Sequence, residues 1–343
     1  MRVLIISDAS IGGAGAIAEI QAKELVRQGM EVKMLRGEIL PNYSERFRNW
    51  RMIYNPTGVA LAKKEILDFR PDIIHAHNIH NKFSYAVLKI AKKSGAKVFL
   101  TAHDTGLFYP DKFFGEANFF HQLRTQRLRF NPFRNFLIKR YVKYVDRVFA
   151  VSDALGEALR AHDFENITLH NGVNTSDWIR PIPPAHFPTV FFAGRISGAK
   201  GRAVLPEIER CVRESVPDVN FVVVGKDVWT PRDKMPEIYA TANVVIVPSV
   251  YLDPFPTVVL EAGASGKPVV ITDQGGAKEA VIEGKTGFVA DPYSPLFANR
   301  IIELLQNPDR AKQMGERARE HITHNFSLQT QVSKLIHYYN GAI

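Results

Sequence analysis

The chain has 343 residues, 45% hydrophobic and 23% charged, with a formal net charge of +9 and a single cysteine, Cys211. That length predicts two domains, and the lone cysteine excludes an intramolecular disulfide and fits a reducing compartment. Apolar runs fall short of the roughly 18 residues a membrane span needs. The opening MRVLIISDAS also reaches Ser7 and Asp8 too early for a signal-peptide core. A cytoplasmic protein with at most peripheral membrane contact is expected.

In chain order, the first half repeats one cadence of apolar strand, turn and helical pattern. Strand-like runs are VLIIS (3–7), EVKMLR (31–36), PDIIHAH (71–77), KVFLTAH (97–103) and RVFAVS (147–152). A helix is predicted over 14–29, closing on Gly29 as helices often do. After RPIPPAHFP (180–188), a four-proline stretch that reads as a linker, the cadence starts again. Its strand-like runs are TVFFAG (189–194), NFVVVG (220–225), NVVIVPS (243–249), PVVITD (268–273) and GFVAD (287–291). Short β-rich runs without polar alternation are buried on both faces, which marks parallel sheets covered by helices. The predicted architecture is two doubly wound, Rossmann-like α/β domains, 1–180 and 181–325, facing across a cleft, with ligands at the carboxyl ends of the strands.

The excess charge lies entirely in the first half. Residues 1–180 carry 27 Lys+Arg against 18 Asp+Glu, whereas 181–343 carry 17 of each. It is densest over 122–147, where eight basic residues, among them Arg124, Arg127 and Arg129, are interleaved with aromatics and one acid, Asp146. A solvated helix face, an anionic membrane surface and nucleic acid are three readings of such a run. No nucleic-acid motif accompanies it, so membrane contact or an anionic acceptor is favoured.

Two acids, Asp253 and Glu261, stand eight positions apart in YLDPFPTVVLEAGASGKPV (251–269). The chain reads as a loop and then a helix, with Pro256 at its first position and the amides of Thr257, Val258 and Val259 free. A helix start of this kind binds phosphate through oriented N–H groups and the dipole. Carboxylates on either side of it could accept hydrogen bonds from sugar hydroxyls, which a nucleotide sugar has on both sides of its pyrophosphate. Two acids at this spacing also occur by chance, so the surrounding residues decide.

Those residues resemble the retaining nucleotide-sugar glycosyltransferases of family 4, which have the two-domain GT-B fold. Asp253 and Glu261 match the acid-x7-acid motif, and Gly275, Gly276 and Glu279 match the GG-x-x-E that follows. GKTGFV (284–289) matches the next segment. Arg195 and Lys200, in AGRISGAKG, match the basic pair, and Gly12 and Gly13 lie in the first loop, IGGAG. TAHD (101–104), VSDAL (151–155) and NGVN (171–174) also match, in order along nearly the whole chain.

The resemblance implies that Arg195 and Lys200 neutralise the pyrophosphate leaving group, where fixed cations act on charge that grows in the transition state. It implies that Glu261 holds the ribose, that Asp253 meets the hydroxyls of the donor sugar, and that His103 lies near that sugar. Gly12 and Gly13 would let the first loop approach the phosphates. Phe255, Pro256, Thr257 and Val258 would line the phosphate cradle. It further implies hexose transfer with retention to a lipid-linked or other envelope-glycan acceptor, and a C-terminal helix (326–343) packed back on the first domain. UDP is the nucleotide expected from frequency within the family. The chain departs from the pattern in having Asp253 where glutamate is usual, Pro256 where glycine is usual, and a short stretch between VVVG (222–225) and NVVIVPS. The second reading, motivated by these departures, is a catalytically silent nucleotide-sugar-binding protein on the same fold.

No D-x-D triplet occurs, so no resident metal or cofactor is expected. His75, His77 and His80 in HAHNIH read more simply as cleft-lining or loop-satisfying residues than as metal ligands. His103 and Asp104, adjacent in sequence, are not expected to form a dyad. IGGAGA departs from G-x-G-x-x-G, and EVKMLR lacks a terminal acid for a ribose, which disfavours a nicotinamide enzyme.

Overall fold

The structure, a computed structural model, describes residues 1–8, 13–44, 47–109, 133–181, 187–194, 198–225 and 230–341. The chain divides into two compact units, Met1–His170 with Val332–Ile343, and Asn171–Gln331.

In the first unit six strands form an all-parallel sheet in the order β2-β1-β3-β4-β5-β6. They are β1 (Arg2–Ser7), β2 (Glu31–Arg36), β3 (Ile73–His77), β4 (Lys97–Ala102), β5 (Arg147–Ala150) and β6 (Ile167–Thr168). Helices α1 (Gly13–Arg27), α2 (Arg48–Arg51), α3 (Pro56–Phe69), α4 (Ala86–Lys93), α5 (Arg134–Val142) and α6 (Asp153–Arg160) fall between them. Every residue of β3 is buried, as expected of a central parallel strand covered on both faces. The strand order reverses at β1, with β2 on one side and β3 to β6 on the other; open α/β sheets bind ligands at the carboxyl ends of the strands at such a switch point.

The second unit holds a parallel sheet in the order β11-β10-β9-β7-β8. Its strands are β7 (Thr189–Ala193), β8 (Asn220–Val224), β9 (Val244–Val247), β10 (Val269–Ile271) and β11 (Gly287–Val289). Its helices are α7 (Leu205–Ser215), α8 (Met235–Thr241), α9 (Thr257–Ala264), α10 (Pro295–Gln306) and α11 (Pro308–Asn325). Val190, Val244, Ile246 and Val270 on the sheet pack with Val212, Phe297 and Ile301 on the helices in one core. Here the order switches between β7 and β9.

Ten strand-like runs read from the sequence coincide with ten of these strands. The eleventh, β6, is two residues long and half-buried, too short to show a pattern. The units divide at His170 and Asn171, ten residues before the boundary read from composition. The cause is backbone pairing: the Val173 N–H donates to Phe326 O at 3.0 Å and the Leu328 N–H to Val173 O at 2.9 Å, which ties NGVN to the second unit. The last helix, α12 (Leu328–Tyr339), starts in the second unit and ends in the first. There Tyr339 is buried, with its ring 4.9 Å from Phe99. No helix among the described residues is long and apolar enough to cross a membrane.

Candidate active site

In the second unit the site residues gather at the β7/β9 switch point. The loop after β7 carries Lys200, and the loop after β9 carries Asp253. The Val250 N–H donates to Ala199 O at 2.9 Å and binds the two loops together. Gly201, at φ +89°, lies where a Cβ would collide with the Pro248 carbonyl. Gly275, at φ +77°, is pressed against the Asp253 backbone, whose carbonyl accepts from the Gly276 N–H at 2.9 Å. Both positions need glycine for φ and for space. The first glycine of GG-x-x-E is therefore explained by loop packing.

Lys200 Nζ forms an ion pair with Asp253 Oδ2, which also accepts from the Ser249 hydroxyl at 3.2 Å. Burial works to lower the Lys200 pKa. The charge of Asp253, together with Tyr251 and hydrogen bonds to both, outweighs burial and holds it above its usual value. The ammonium lies 5.3 Å from the Tyr251 ring centroid. Lys200 is thus a fixed, fully charged cation with its counter-ion in contact.

Pro256 is the N-cap of α9 (φ −68°, ψ 120°), one residue earlier than expected, because its ψ is extended. The Val259 N–H is not a free donor; it donates to Pro256 O at 3.1 Å. Thr257 and Val258 open the helix and are half-buried. The Phe255 ring is buried and tilted against Phe326 at 5.8 Å.

Glu261, just over one turn into α9 and buried, divides its oxygens between partners. Oε2 accepts from the Tyr239 hydroxyl at 3.0 Å, and Oε1 pairs with Arg232 at 3.1 Å. The Arg232 guanidinium lies 5.6 Å from the Trp178 ring centroid, and Trp178 meets Tyr239 edge-on at 5.3 Å. The sequence reading missed Arg232, Tyr239 and Trp178. No spacing signal links them to Glu261, since Arg232 comes from a short turn, Tyr239 from α8 and Trp178 from the segment before the linker.

In the first unit His103 follows β4 and is half-buried. Its Nε2 lies 2.9 Å from Nδ1 of His77, with the rings stacked at 5.2 Å. Asp104 instead bonds Asn78 Nδ2 at 3.1 Å and the Gly106 N–H at 2.8 Å, with His80 at 3.7 Å. His75 is wholly buried between the Tyr339 hydroxyl (2.6 Å) and Thr101 Oγ1 (2.7 Å). Burial, with help from His103, lowers its pKa to about 3. His75 and His77 therefore serve neither as loop caps nor as a cleft lining. Asp8, at the end of β1, caps the turn after β3 by accepting from the N–H groups of Asn81, Lys82 and Phe83. Burial nonetheless raises its pKa to about 7.

Gly13 opens α1 and is exposed, and a Cβ there would meet nothing among the described residues. Arg195, Gly12 and residues 122–132, with Arg124, Arg127 and Arg129, lie outside the described residues. Of the basic segment that is described, Arg134 is not a surface cation. It is buried, and its guanidinium donates to the carbonyls of Gly106 and Leu107. Lys139 pairs with Asp163 at 2.7 Å.

The Glycosyltransferase Family 4 model matches residues 11–177, and the Glycosyl transferases group 1 model matches 228–321. Sucrose-phosphate synthase from Thermosynechococcus elongatus superposes with a TM-score of 0.77 at 18% identity, over 99% of this chain and 98% of that one. Anabaena HepE in complex with UDP-glucose superposes with a TM-score of 0.72 at 17% identity, over 99% of both chains. D-inositol 3-phosphate glycosyltransferase of Corynebacterium glutamicum is 31% identical over 189 residues, 47% of this chain and 45% of that protein. The chain spans about half the length of the curated relatives it matches. Fold and site together define a GT-B glycosyltransferase architecture. The two family models account for most of it, and the chain belongs to glycosyltransferase family 4.

Proposed function

We propose that this protein transfers a hexose from a nucleotide diphosphate sugar, a UDP sugar first among the candidates, to an acceptor hydroxyl with retention at the anomeric carbon. The observation that carries the reading is the pairing of Lys200 with Asp253 at the β7/β9 switch point, beside the start of the helix that bears Glu261. In the transfer the bond from the anomeric carbon to phosphate oxygen breaks, and its electron pair leaves with the diphosphate. The acceptor oxygen bonds to that carbon, and its proton passes to the departing phosphate oxygen. Lys200, joined by Arg195, neutralises the charge that grows on the leaving group. As the diphosphate takes up Lys200, Asp253 is released to accept from a sugar hydroxyl. Glu261 accepts from the ribose diol through the oxygen now shared with Arg232, while Tyr239 holds the other. His103 meets the donor sugar from the first unit, and no resident metal is required.

The relatives' names put phosphorylated polyols among the acceptors of this family, and the excess basic charge of residues 1–180 favours an anionic acceptor or a lipid-linked one at an anionic membrane surface. Work in envelope glycan or glycolipid synthesis, on the inner face of the cell membrane, fits both. A thermal-shift screen of nucleoside diphosphates and their sugars tests donor binding, because a ligand of the native state raises its stability with concentration over Kd. Slow donor hydrolysis then tests turnover. Nucleotide binding with no hydrolysis of any common donor would favour the silent binding protein, and loss of hydrolysis in EDTA with recovery on adding a divalent ion would overturn the metal-free mechanism.

A further inference from the structure

Three histidines stand at the carboxyl edge of the first sheet, and the proton count among them is constrained. His75 and His77 are two residues apart on β3, hence on one face of the strand, with ring centroids 4.3 Å apart. Both nitrogens of His75 are taken, by Tyr339 and Thr101. His77 faces His103 through Nδ1 at 2.9 Å, and its Nε2 is buried with no hydrogen-bond partner among the described residues. Burial, reinforced by His75 and His103, holds the His77 pKa well below its usual value, so His77 is a neutral ring with one N–H. If that proton were on Nε2, the protein would bury an N–H without an acceptor. If it is on Nδ1, it is satisfied by His103 Nε2, and only a lone pair is left unmet. Buried orphan donors are the rarer and costlier defect.

We infer that His77 is the positioning residue for His103: by donating from Nδ1 to His103 Nε2, it holds that ring in the tautomer that carries its proton on Nδ1. His103 then meets the sugar of the donor as a hydrogen-bond donor and not as a base. The consequence for turnover rests on the glycosyltransferase reading above; the tautomer itself does not.

The test uses the full chain labelled with 15N-histidine. Long-range 1H–15N spectra, assigned with His103→Gln and His77→Asn, report which ring nitrogen of His103 carries the proton. The expected pattern is a protonated Nδ1 and a bare Nε2 in His103. The reverse tautomer, or a His77 that titrates like an isolated histidine, overturns the inference. In donor hydrolysis, His77→Leu is expected to lower kcat about tenfold or more while KM changes less than about threefold. His77→Asn, whose Nδ2 offers a donor where Nδ1–H stands, is expected to recover most of that loss. Equal loss in a folded Asn variant, or no loss in a folded Leu variant, also overturns it. Should the Leu variant fail to fold, the wild-type spectrum decides. Should the wild type hydrolyse no donor, the functional reading fails and the spectrum still decides the tautomer.

Discussion

At the scale of single residues, the Lys200–Asp253 pair shows how one contact serves both stability and function. The carboxylate is almost wholly buried and the ammonium is about one quarter exposed. Removing one partner leaves a poorly solvated charge, so Lys200→Ala or Asp253→Asn is expected to cost about 3 kcal/mol of second-unit stability. The double variant is expected to cost at least about 1 kcal/mol less than the sum, measured as a double-mutant cycle in urea. Lys200→Ala is also expected to lower donor hydrolysis by about 100-fold, because a fixed cation is lost where leaving-group charge develops. Glu261→Gln keeps both of its neighbours, Tyr239 and Arg232, yet removes the charge. It is expected to weaken nucleoside diphosphate binding by about 1.5–3 kcal/mol in calorimetry. An unchanged Kd would exclude Glu261 from the ribose.

At the scale of elements, two glycines named by motif have different physical standing. Gly275 combines a positive φ with contact against the Asp253 backbone, so Gly275→Ala is expected to destabilise by about 2 kcal/mol or more. Gly13 begins a helix, and a Cβ there would meet nothing within 4 Å among the described residues. Gly13→Ala is therefore expected to leave stability within about 0.5 kcal/mol of the parent, while weakening nucleotide binding if the phosphates approach the first loop. Chemical denaturation and nucleotide calorimetry on the two variants separate these effects. The expected fit of Pro256 at the first helical position fails by one residue, because proline's φ suits either place and only its extended ψ decides. Arg134 makes the same point for charge. In the sequence it is one of eight basic residues, but in the fold it is spent on two carbonyls after β4.

At the scale of the molecule, buried titratable groups give the first unit a predictable response to acid. His75 and His77 have folded pKa values depressed by burial. Below about pH 6.5 the unfolded chain binds two protons that the folded chain refuses. Asp8, raised to about 7, acts in the opposite sense, because the folded form takes up a proton between about pH 7 and pH 4 that the unfolded form does not. Two against one leaves a net loss of stability of about 1.4 kcal/mol for each pH unit of acidification between about 6 and 4.5. His162, also lowered by burial, adds to it. Calorimetry across that range is expected to show the first unit melting progressively earlier, and Asp8→Asn is expected to steepen the trend. By the same balance, a flat profile would mean that one of the two histidines takes up its proton in the fold, and a stability that rises on acidification that both do.

The sequence by itself determined where ten strands lie along the chain, the parallel, helix-covered character of the two sheets and the family, because strand-like runs and glycine–acid motifs are local and survive being read one residue at a time. It also singled out Lys200, Asp253, Glu261 and His103. Only the tertiary structure decided what each of them touches. Arg232, Tyr239 and Trp178 reach Glu261, and His77 reaches His103, through strand register and loop packing that bring distant segments together. Proton positions and counter-ions depend on that proximity and on burial, and neither is written in spacing along the chain.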